Sequence, residues 1–193
     1  MQTSYYSEDE LQSLGFKSVH NSSKISRFSR FYGIERISIG KFVRIDDFCI
    51  VSGNVTMNNF THIGAFSGLF ANEGSILMCD FSSLSSRVTV YAHSGDFKGT
   101  SFNGPHLGKK YGFTIQSDIV INKHSVIGTG STILPGVTIG EGVSVGAMSL
   151  VNKSLPEWGI YAGIPAKFLY SKRRDIIPEI ERQFLIDYSE KLK

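Results

Sequence analysis

The sequence predicts an all-β fold, a parallel β-solenoid, because aliphatic residues return at a fixed interval of six. One uninterrupted run covers residues 115–151 of a chain of 193 residues. A small or β-branched residue recurs four places after these positions, and glycines are interspersed. One large inward residue, one small inward residue and a frequent glycine suit a short strand followed by a bend. The aliphatic positions of this run are Ile115, Ile121, Ile127, Ile133, Ile139, Val145 and Val151.

The same period recurs earlier in the chain, in two further frames. A unit of this size cannot bury its aliphatic side alone, so each coil depends on the coils above and below it. With three strands in each turn, residues eighteen apart in sequence lie about 4.8 Å apart on one surface. The earlier aliphatic positions are Ile39, Ile45, Val51, Met57, Ile63, Leu69, Met78, Leu84 and Val90.

A short helix is predicted ahead of the repeats. Ser7 and Glu10 have the spacing of a capping box, in which each side chain bonds the other residue's backbone N–H. Leu11 supplies an apolar side, and Gly15 suits the helix end. Regular repeats follow after an irregular start between about residues 25 and 37.

The repeat is broken near residues 72–74 and again at 92–114. The second break is rich in glycine, polar and aromatic residues and has no period. A loop of about twenty residues without regular structure is uncommon in a compact array unless it forms a site. We therefore expect the functional site beside the loop at 92–114.

The chain leaves the repeat after residue 151, and a second helix is expected from about Ile176. Pro178 would lie in its first turn, where a missing N–H costs little. We expect one domain in three parts: a cap at 1–23, the solenoid with its loop at 24–151, and a C-terminal segment and helix at 152–193.

Composition suits a single globular domain, with 41% hydrophobic and 19% charged residues. No apolar run approaches the roughly 18 residues of a membrane span, and no secretory leader is visible, so we expect a cytoplasmic protein. The formal net charge of +3 is mild and no basic stripe appears, which argues against nucleic acid as a partner. Cys49 and Cys79 occupy unrelated positions of the repeat and are expected to be free thiols.

His93 is the candidate general base. Many enzymatic reactions require a side chain that removes a proton near neutral pH, and the usual pKa of histidine, near 6.5, suits that role. His93 directly follows the strand expected at 88–91, so a rigid element would hold it at the edge of the long loop. Glu73 and Asp96 lie in the two breaks and are candidates to orient the imidazole, although either acid is equally compatible with a solvated loop. The remaining histidines occupy the cap, outward positions or the loop interior: His20, His62, His106 and His124.

Residues 24–170 resemble the hexapeptide-repeat acyltransferases. The resemblance rests on the phrase Ile-Leu-Pro-Gly-Val-Thr-Ile-Gly at 133–140, the loop opened by His93, and Ala-Gly-Ile-Pro-Ala-Lys at 162–167. It is strongest for the galactoside, maltose and xenobiotic acetyltransferase branch. It implies a left-handed parallel β-helix, a homotrimer with active sites between subunits, acetyl-CoA as donor and no metal.

The resemblance also assigns roles to individual residues. It aligns His93 with the catalytic histidine of the family. Asn72, Glu73 and Asp96, which lie in the breaks, are candidate acceptor contacts. Positions that match the family's CoA contacts are Thr129 and Ala147 for the pantetheine arm, followed by Asn152, Lys153 and, near the nucleotide, Lys167. The family's further arginine falls on Tyr170, so Lys172 or Arg173 would replace it, and Trp158 would cover either the adenine or the end of the core.

Residues 6–11 and 14–18 are similar to the acetyltransferases that act on dTDP-4-amino-4,6-dideoxyglucose in surface-polysaccharide gene clusters. The resemblance therefore implies N-acetylation of a nucleotide-linked amino sugar in O-antigen or lipopolysaccharide biosynthesis. Three alternatives stay open from the sequence. They are O-acetylation of a sugar hydroxyl, a zinc carbonic anhydrase of the same solenoid fold, and a solenoid module without catalytic activity.

Overall fold

The computed structural model describes residues 4–104, 106 and 108–189. Parts of the predicted cap, loop and C-terminal segment lie outside these residues. The chain folds as the left-handed parallel β-helix of about seven turns that the sequence and the resemblance predicted. Its strands form three walls of a prism, and each coil runs from wall 3 to wall 1 to wall 2. The predicted division of the chain at residues 23 and 151 stays a prediction.

Two long strands, β6 (Ile50–Met57) and β8 (Gly68–Met78), run from wall 1 into wall 2. The other strands of wall 1 are β3 (Arg30–Tyr32), β10 (Thr89–Tyr91), β15 (Thr132–Ile133) and β18 (Leu150–Val151). The other strands of wall 2 are β1 (Ser18–Val19), β4 (Ile37–Ile39), β13 (Ile119–Ile121) and β16 (Thr138–Ile139). Wall 3 contains β2 (Lys24–Ile25), β5 (Arg44–Ile45), β7 (His62–Ile63), β9 (Ser83–Leu84), β14 (Val126–Ile127), β17 (Ser144–Val145), β19 (Gly159–Ala162) and β20 (Lys167–Ser171).

The large and small positions of the repeat both face the prism interior, as the period predicts. From Ile121 to Val151 every aliphatic position is buried, and so are the earlier positions from Ile39 to Val90. Several small positions are serines whose buried hydroxyls are satisfied by carbonyls of the neighbouring turns. Ser67, for example, donates to the Ser85 carbonyl at 3.0 Å. Large side chains thus fill the core while small ones allow the bends to stack.

Ile115 corrects the predicted run. It is 41% exposed and lies in strand β12 (Thr114–Gln116), which pairs antiparallel with β11 (His93–Gly95). The prism is therefore interrupted between residues 92 and 116. Ile115 keeps the six-residue spacing of the repeat but does not lie in the buried core. The loop predicted to lack regular structure contains this hairpin and a short helix, α2 (Gly108–Tyr111).

Both terminal helices are present. The first, α1 (Glu8–Ser13), has the predicted capping box between Ser7 and Glu10, and Gly15 follows it with a left-handed φ of 87°. The last, α3 (Ile176–Asp187), packs Phe184 against Phe60 and Phe81 of the prism. No helix in the described residues is long and apolar enough to cross a membrane.

Aromatic side chains line two corners of the prism. Phe42, Phe60 and Phe81 stack in one corner, whereas Phe28, Phe48 and Phe66 stack in another. All of these except Phe28 have the left-handed φ that favours glycine. Stacking with the rings above and below offsets the cost of that backbone conformation.

Candidate active site

His93 lies where wall 1 ends and the long loop begins. Tyr91 closes strand β10, Ala92 points into the core, and His93 points outward on the same face as Tyr91. The imidazole Nδ1 is 3.2 Å from the carbonyl oxygen of Phe70 on the neighbouring strand. A carbonyl oxygen only accepts hydrogen bonds, so Nδ1 carries the proton and Nε2 keeps the lone pair. This contact leaves Nε2 able to accept a proton.

His93 lines a cleft of about 570 Å³ between the prism and the loop. Asn72 and Asn103 contribute amide groups to its lining, and Phe102 and Phe113 contribute aromatic rings. Four glycines complete much of the remaining lining and expose backbone groups to the cleft. The volume and the mixture of apolar and polar surfaces suit a small-molecule substrate.

Asp96 organises the loop that forms this cleft. Its carboxylate accepts hydrogen bonds from Thr100 Oγ1 at 2.7 Å and from the N–H groups of Lys98, Thr100 and Ser101 at 2.6–2.7 Å. The residue is only 4% exposed. The Thr100 hydroxyl and the backbone donors lower the pKa of Asp96 from 3.8 to about 2. Its oxygens are therefore occupied within the loop.

Glu73 and Asn72 lie at the other break of the repeat. Glu73 is exposed and faces Arg36, whose Nη1 is 3.8 Å from its carboxylate. Asn72 has a left-handed φ of 52° and lines the cleft with His93. The structure thus places the carbonyl of Phe70, rather than Glu73 or Asp96, against the imidazole of His93. The roles of Asn72, Glu73 and Asp96 as contacts to the acceptor stay predictions.

Thr129 and Ala147 form an exposed stripe at the corner between wall 3 and wall 1. Strands β14 and β17 pair with Val126 opposite Ser144, so Thr129 and Ala147 stack one coil apart. Within the described residues, neither backbone N–H of this pair donates a hydrogen bond. A Cβ on Gly128 would lie 2.5 Å from the Ala147 nitrogen, so only glycine permits this close stacking.

The remaining predicted CoA contacts are also on the surface. Asn152 and Lys153 follow strand β18 and Lys167 opens strand β20, all three exposed. Lys172 instead donates from Nζ to Ser144 Oγ at 3.0 Å, and burial lowers the pKa of its amine.

Trp158 packs over Gly142 and has the left-handed φ found at the corners of the prism. It is buried, and a Cβ on Gly142 would lie 2.5 Å from its ring. Both roles considered for the indole, over the adenine or at the end of the core, stay predictions.

The stripe and the candidate base lie at opposite edges of wall 1. The stripe precedes the strands of this wall, whereas His93 follows strand β10. In the coil of β10 the stripe position is Ser86, seven residues before His93. At strand spacing the two edges are roughly 15–20 Å apart. A reactive group held on the stripe of one chain is therefore distant from His93 of that chain.

The described residues contain no group of three histidine, cysteine, aspartate or glutamate side chains that could hold a metal. His124 does not point to a zinc site, since its Nε2 lies 2.9 Å from Glu181 of helix α3. His106 lies exposed in the loop. Cys49 is buried and Cys79 partly so, and both are free thiols, as predicted.

Sequence reasoning missed the Phe70 carbonyl and the lining residues Phe102, Asn103 and Phe113. The carbonyl gives no signal in the sequence because every residue has one. The aromatic and amide residues were visible within the unperiodic segment at 92–114, and that composition was the available signal.

Comparison with known proteins agrees with the fold. Residues 118–153 match the family model described as bacterial transferase hexapeptide (six repeats). The chain is 35% identical over 183 residues to dTDP-4-amino-4,6-dideoxy-D-glucose acyltransferase of Escherichia coli, covering 93% of this chain and 94% of that protein.

Solved structures extend the comparison to the whole fold. AntD, an N-acyltransferase from Bacillus cereus crystallised with dTDP and 3-hydroxybutyryl-CoA, superposes with a TM-score of 0.94 at 43% identity. The match covers 97% of this chain and 100% of that chain. WeeI from Acinetobacter baumannii AYE, at 20% identity, a TM-score of 0.57 and coverage of 76% of this chain and 57% of its own, shares the fold alone.

A relative this similar over nearly the full length of both chains shows common membership of one family. The prism and its hexapeptide period are the features that this membership explains. The chain is an acyltransferase and belongs to the hexapeptide-repeat family of the dTDP-4-amino-4,6-dideoxy-D-glucose acyltransferases.

Proposed function

We propose that the chain transfers an acyl group from acyl-CoA to the 4-amino group of dTDP-4-amino-4,6-dideoxyglucose, with acetyl, the group that the resemblance implies, as the first donor to test. The observation that carries this proposal is His93, with its tautomer set by Phe70, at the mouth of the cleft. The similarity to AntD, crystallised with CoA and dTDP-4-amino-4,6-dideoxyglucose in a variant form, supports the choice of both substrates.

His93 is the general base in the proposed reaction. The sugar amine attacks the thioester carbonyl while Nε2 of His93 takes one of its protons, and a tetrahedral intermediate forms. Collapse of the intermediate breaks the C–S bond, and the imidazolium returns the proton to the CoA thiolate. The products are the amide and free CoA, with His93 neutral again.

The stripe and the C-terminal segment provide the donor site in this proposal. The free N–H groups of Thr129 and Ala147 are suited to the amide carbonyls of an extended pantetheine arm. Asn152 and Lys153 continue this surface, and Lys167 provides a positive charge for the phosphates of CoA.

The separation between stripe and base supports a homotrimer. Since the two lie at opposite edges of wall 1, a thioester held on one chain meets His93 most directly on a neighbouring chain. We accordingly propose that each active site lies between two subunits of a trimer. The enzyme would act in the cytoplasm, where acyl-CoA is available, on a precursor of O-antigen or another surface polysaccharide.

The test measures the rate at which free thiol is released from acetyl-CoA, monitored with a colorimetric thiol reagent. The acceptors are dTDP-4-amino-4,6-dideoxyglucose, dTDP-glucose and a simple galactoside. The expected result is turnover with the amino sugar alone, with mass spectrometry showing the N-acetylated product.

Turnover on the hydroxyl acceptors alone would instead make the enzyme an O-acetyltransferase. The uncatalysed rate and the His93→Ala variant serve as the blanks. Equal rates with all three acceptors would reject the assignment of the amine as the nucleophile.

A further inference from the structure

Apolar side chains form a column on the outer face of wall 1 beside His93. Phe70 and Tyr91 lie opposite each other on β8 and β10, and their rings stack with centroids 5.2 Å apart. Leu134 continues the column on the next coil, one residue beyond the paired Val90 and Ile133. Tyr91 is 37% exposed, so this apolar surface is open to a ligand.

The column touches the candidate base directly. The rings of Tyr91 and His93 meet edge to face with centroids 6.3 Å apart. The intervening Ala92 is buried, so Tyr91 and His93 on either side of it both lie on the outside of the prism. Any group bonded to the carbon that reacts beside His93 lies within reach of Tyr91.

The two sides of His93 differ in chemistry. On the loop side, the cleft presents amide groups from Asn72 and Asn103 and exposed backbone, which suits a polar sugar. On the other side lie Tyr91, Phe70 and Leu134, whose carbon surfaces suit an alkyl chain. In the proposed reaction the sugar amine approaches from the cleft, which would leave the acyl carbonyl between the amine and the column and direct its chain over the column.

We propose that Tyr91, supported by Phe70 and Leu134, forms the floor of an acyl-chain subsite and sets the preference of the enzyme for the length of the acyl group. This inference rests on the proposed function for the position of the thioester. It goes beyond that function because the column offers more apolar surface than the methyl group of an acetyl donor covers. Chains of about four carbons are therefore expected as substrates.

The experiment compares butyryl-CoA with acetyl-CoA. Each methylene removed from water changes affinity by about fourfold, so the wild type should show a butyryl to acetyl ratio of kcat/KM above one. Tyr91→Ala should lower this ratio by roughly threefold to tenfold, because the ring that covers the added methylenes is gone. Tyr91→Phe keeps the ring and should keep the ratio within about twofold.

Tyr32→Ala is the matched control. Tyr32 occupies the same outward column as Tyr91 on strand β3 and is 58% exposed, but Ser52 and Phe70 separate it from Tyr91. Its removal should leave the ratio unchanged. Leu134→Ala shortens the column from the other side and should lower the ratio while the Phe70–Tyr91 stack stays intact, which gives a second test if Tyr91→Ala fails to fold.

A general disturbance of His93 would reduce the rates with both donors equally and leave their ratio alone. An unchanged ratio in folded Tyr91→Ala and Leu134→Ala would overturn the proposal. Equilibrium binding of butyryl-CoA and acetyl-CoA by calorimetry supplies a readout that needs no acceptor. A loss of butyryl preference in binding therefore supports the acyl floor even if the proposed amino sugar is wrong.

Discussion

At the residue scale, the contact between His93 and the Phe70 carbonyl determines which ring nitrogen can take a proton. His93→Ala removes the base and should reduce kcat by roughly 10²–10⁴-fold. Affinity for CoA, measured by calorimetry, should not change, because the proposed contacts to CoA are made by the stripe, Asn152, Lys153 and Lys167 and not by this imidazole. His106→Ala, an exposed histidine of the same loop, is the control and should retain full activity. Turnover of His93→Ala close to that of the wild type would remove His93 from the mechanism.

Asp96 acts on the site through the loop rather than through a free oxygen. Asp96→Asn replaces a carboxylate that accepts four hydrogen bonds with a group that has one acceptor oxygen. The loop should loosen, and the KM for the acceptor should rise by about tenfold as charge-assisted hydrogen bonds are lost. The Kd for CoA should stay the same. A lower kcat with an unchanged acceptor KM would contradict this positioning role.

The lowered pKa of Asp96 predicts how the loop responds to acid. The pKa of Asp96 in the folded protein, about 2, lies below the ordinary 3.8. The ionised carboxylate therefore stabilises the folded loop fully above about pH 4, and this stabilisation is lost as pH falls toward 2. Proteolysis by pepsin, which works in this range, should cut the wild-type loop faster as pH falls. The Asp96→Asn variant should be cut readily throughout and show a smaller pH dependence.

At the scale of elements, helix α3 is held to the prism by an ion cluster and an aromatic contact. Lys123 Nζ and His124 Nε2 lie 2.6 and 2.9 Å from the two carboxylate oxygens of Glu181. Burial disfavours the charged carboxylate, but the hydrogen bonds from Lys123 and His124 outweigh it, and the pKa of Glu181 is lowered below 4.5. The charged form of Glu181 therefore stabilises the docked helix.

Glu181→Gln should weaken this docking. Loss of a partly buried charged partner costs about 1–2 kcal/mol, or roughly 2–8 °C in Tm for a chain of this size. Glu179→Gln is the control on the same helix, since its pair with Arg182 is exposed and worth little. Because the pKa of Glu181 is lowered, the difference between wild type and Glu181→Gln should be full above about pH 4.5 and shrink as pH falls below it. Equal decreases of Tm in Glu181→Gln and Glu179→Gln would contradict the role of the ion cluster in holding helix α3 to the prism.

The elements also show which features were predictable from sequence. Inward positions recur every six residues because each coil repeats the same packing, so the walls and core could be predicted. Phe42, Phe48, Phe60, Phe66 and Phe81 each directly precede a small inward residue, a signal that would have identified the aromatic corners. Ile115 was misassigned because a hairpin between β11 and β12 depends on contacts across the loop, which leave no period in the sequence.

At the scale of the whole molecule, the arrangement of the candidate site follows from the width of a wall. The sequence predicted that Thr129 and Ala147 stack, because their separation equals one coil. It did not predict their distance from His93, since that distance depends on which corner of the prism each occupies. The orientation of His93 was equally inaccessible, because its partner is a backbone atom of Phe70, twenty-three residues away in sequence.

Mixing two inactive variants tests whether the site lies between subunits. His93→Ala lacks the base, and Ala147→Trp blocks the stripe with a bulky ring on an exposed turn, so neither should turn over alone. If each site combines His93 of one subunit with the stripe of its neighbour, random reassembly of equal amounts places both intact halves together in about a quarter of the sites. Activity should therefore return to about that fraction of the wild type after the variants are unfolded and refolded together. Mixed samples that are trimeric by analytical ultracentrifugation yet inactive would place both halves of the site in one chain.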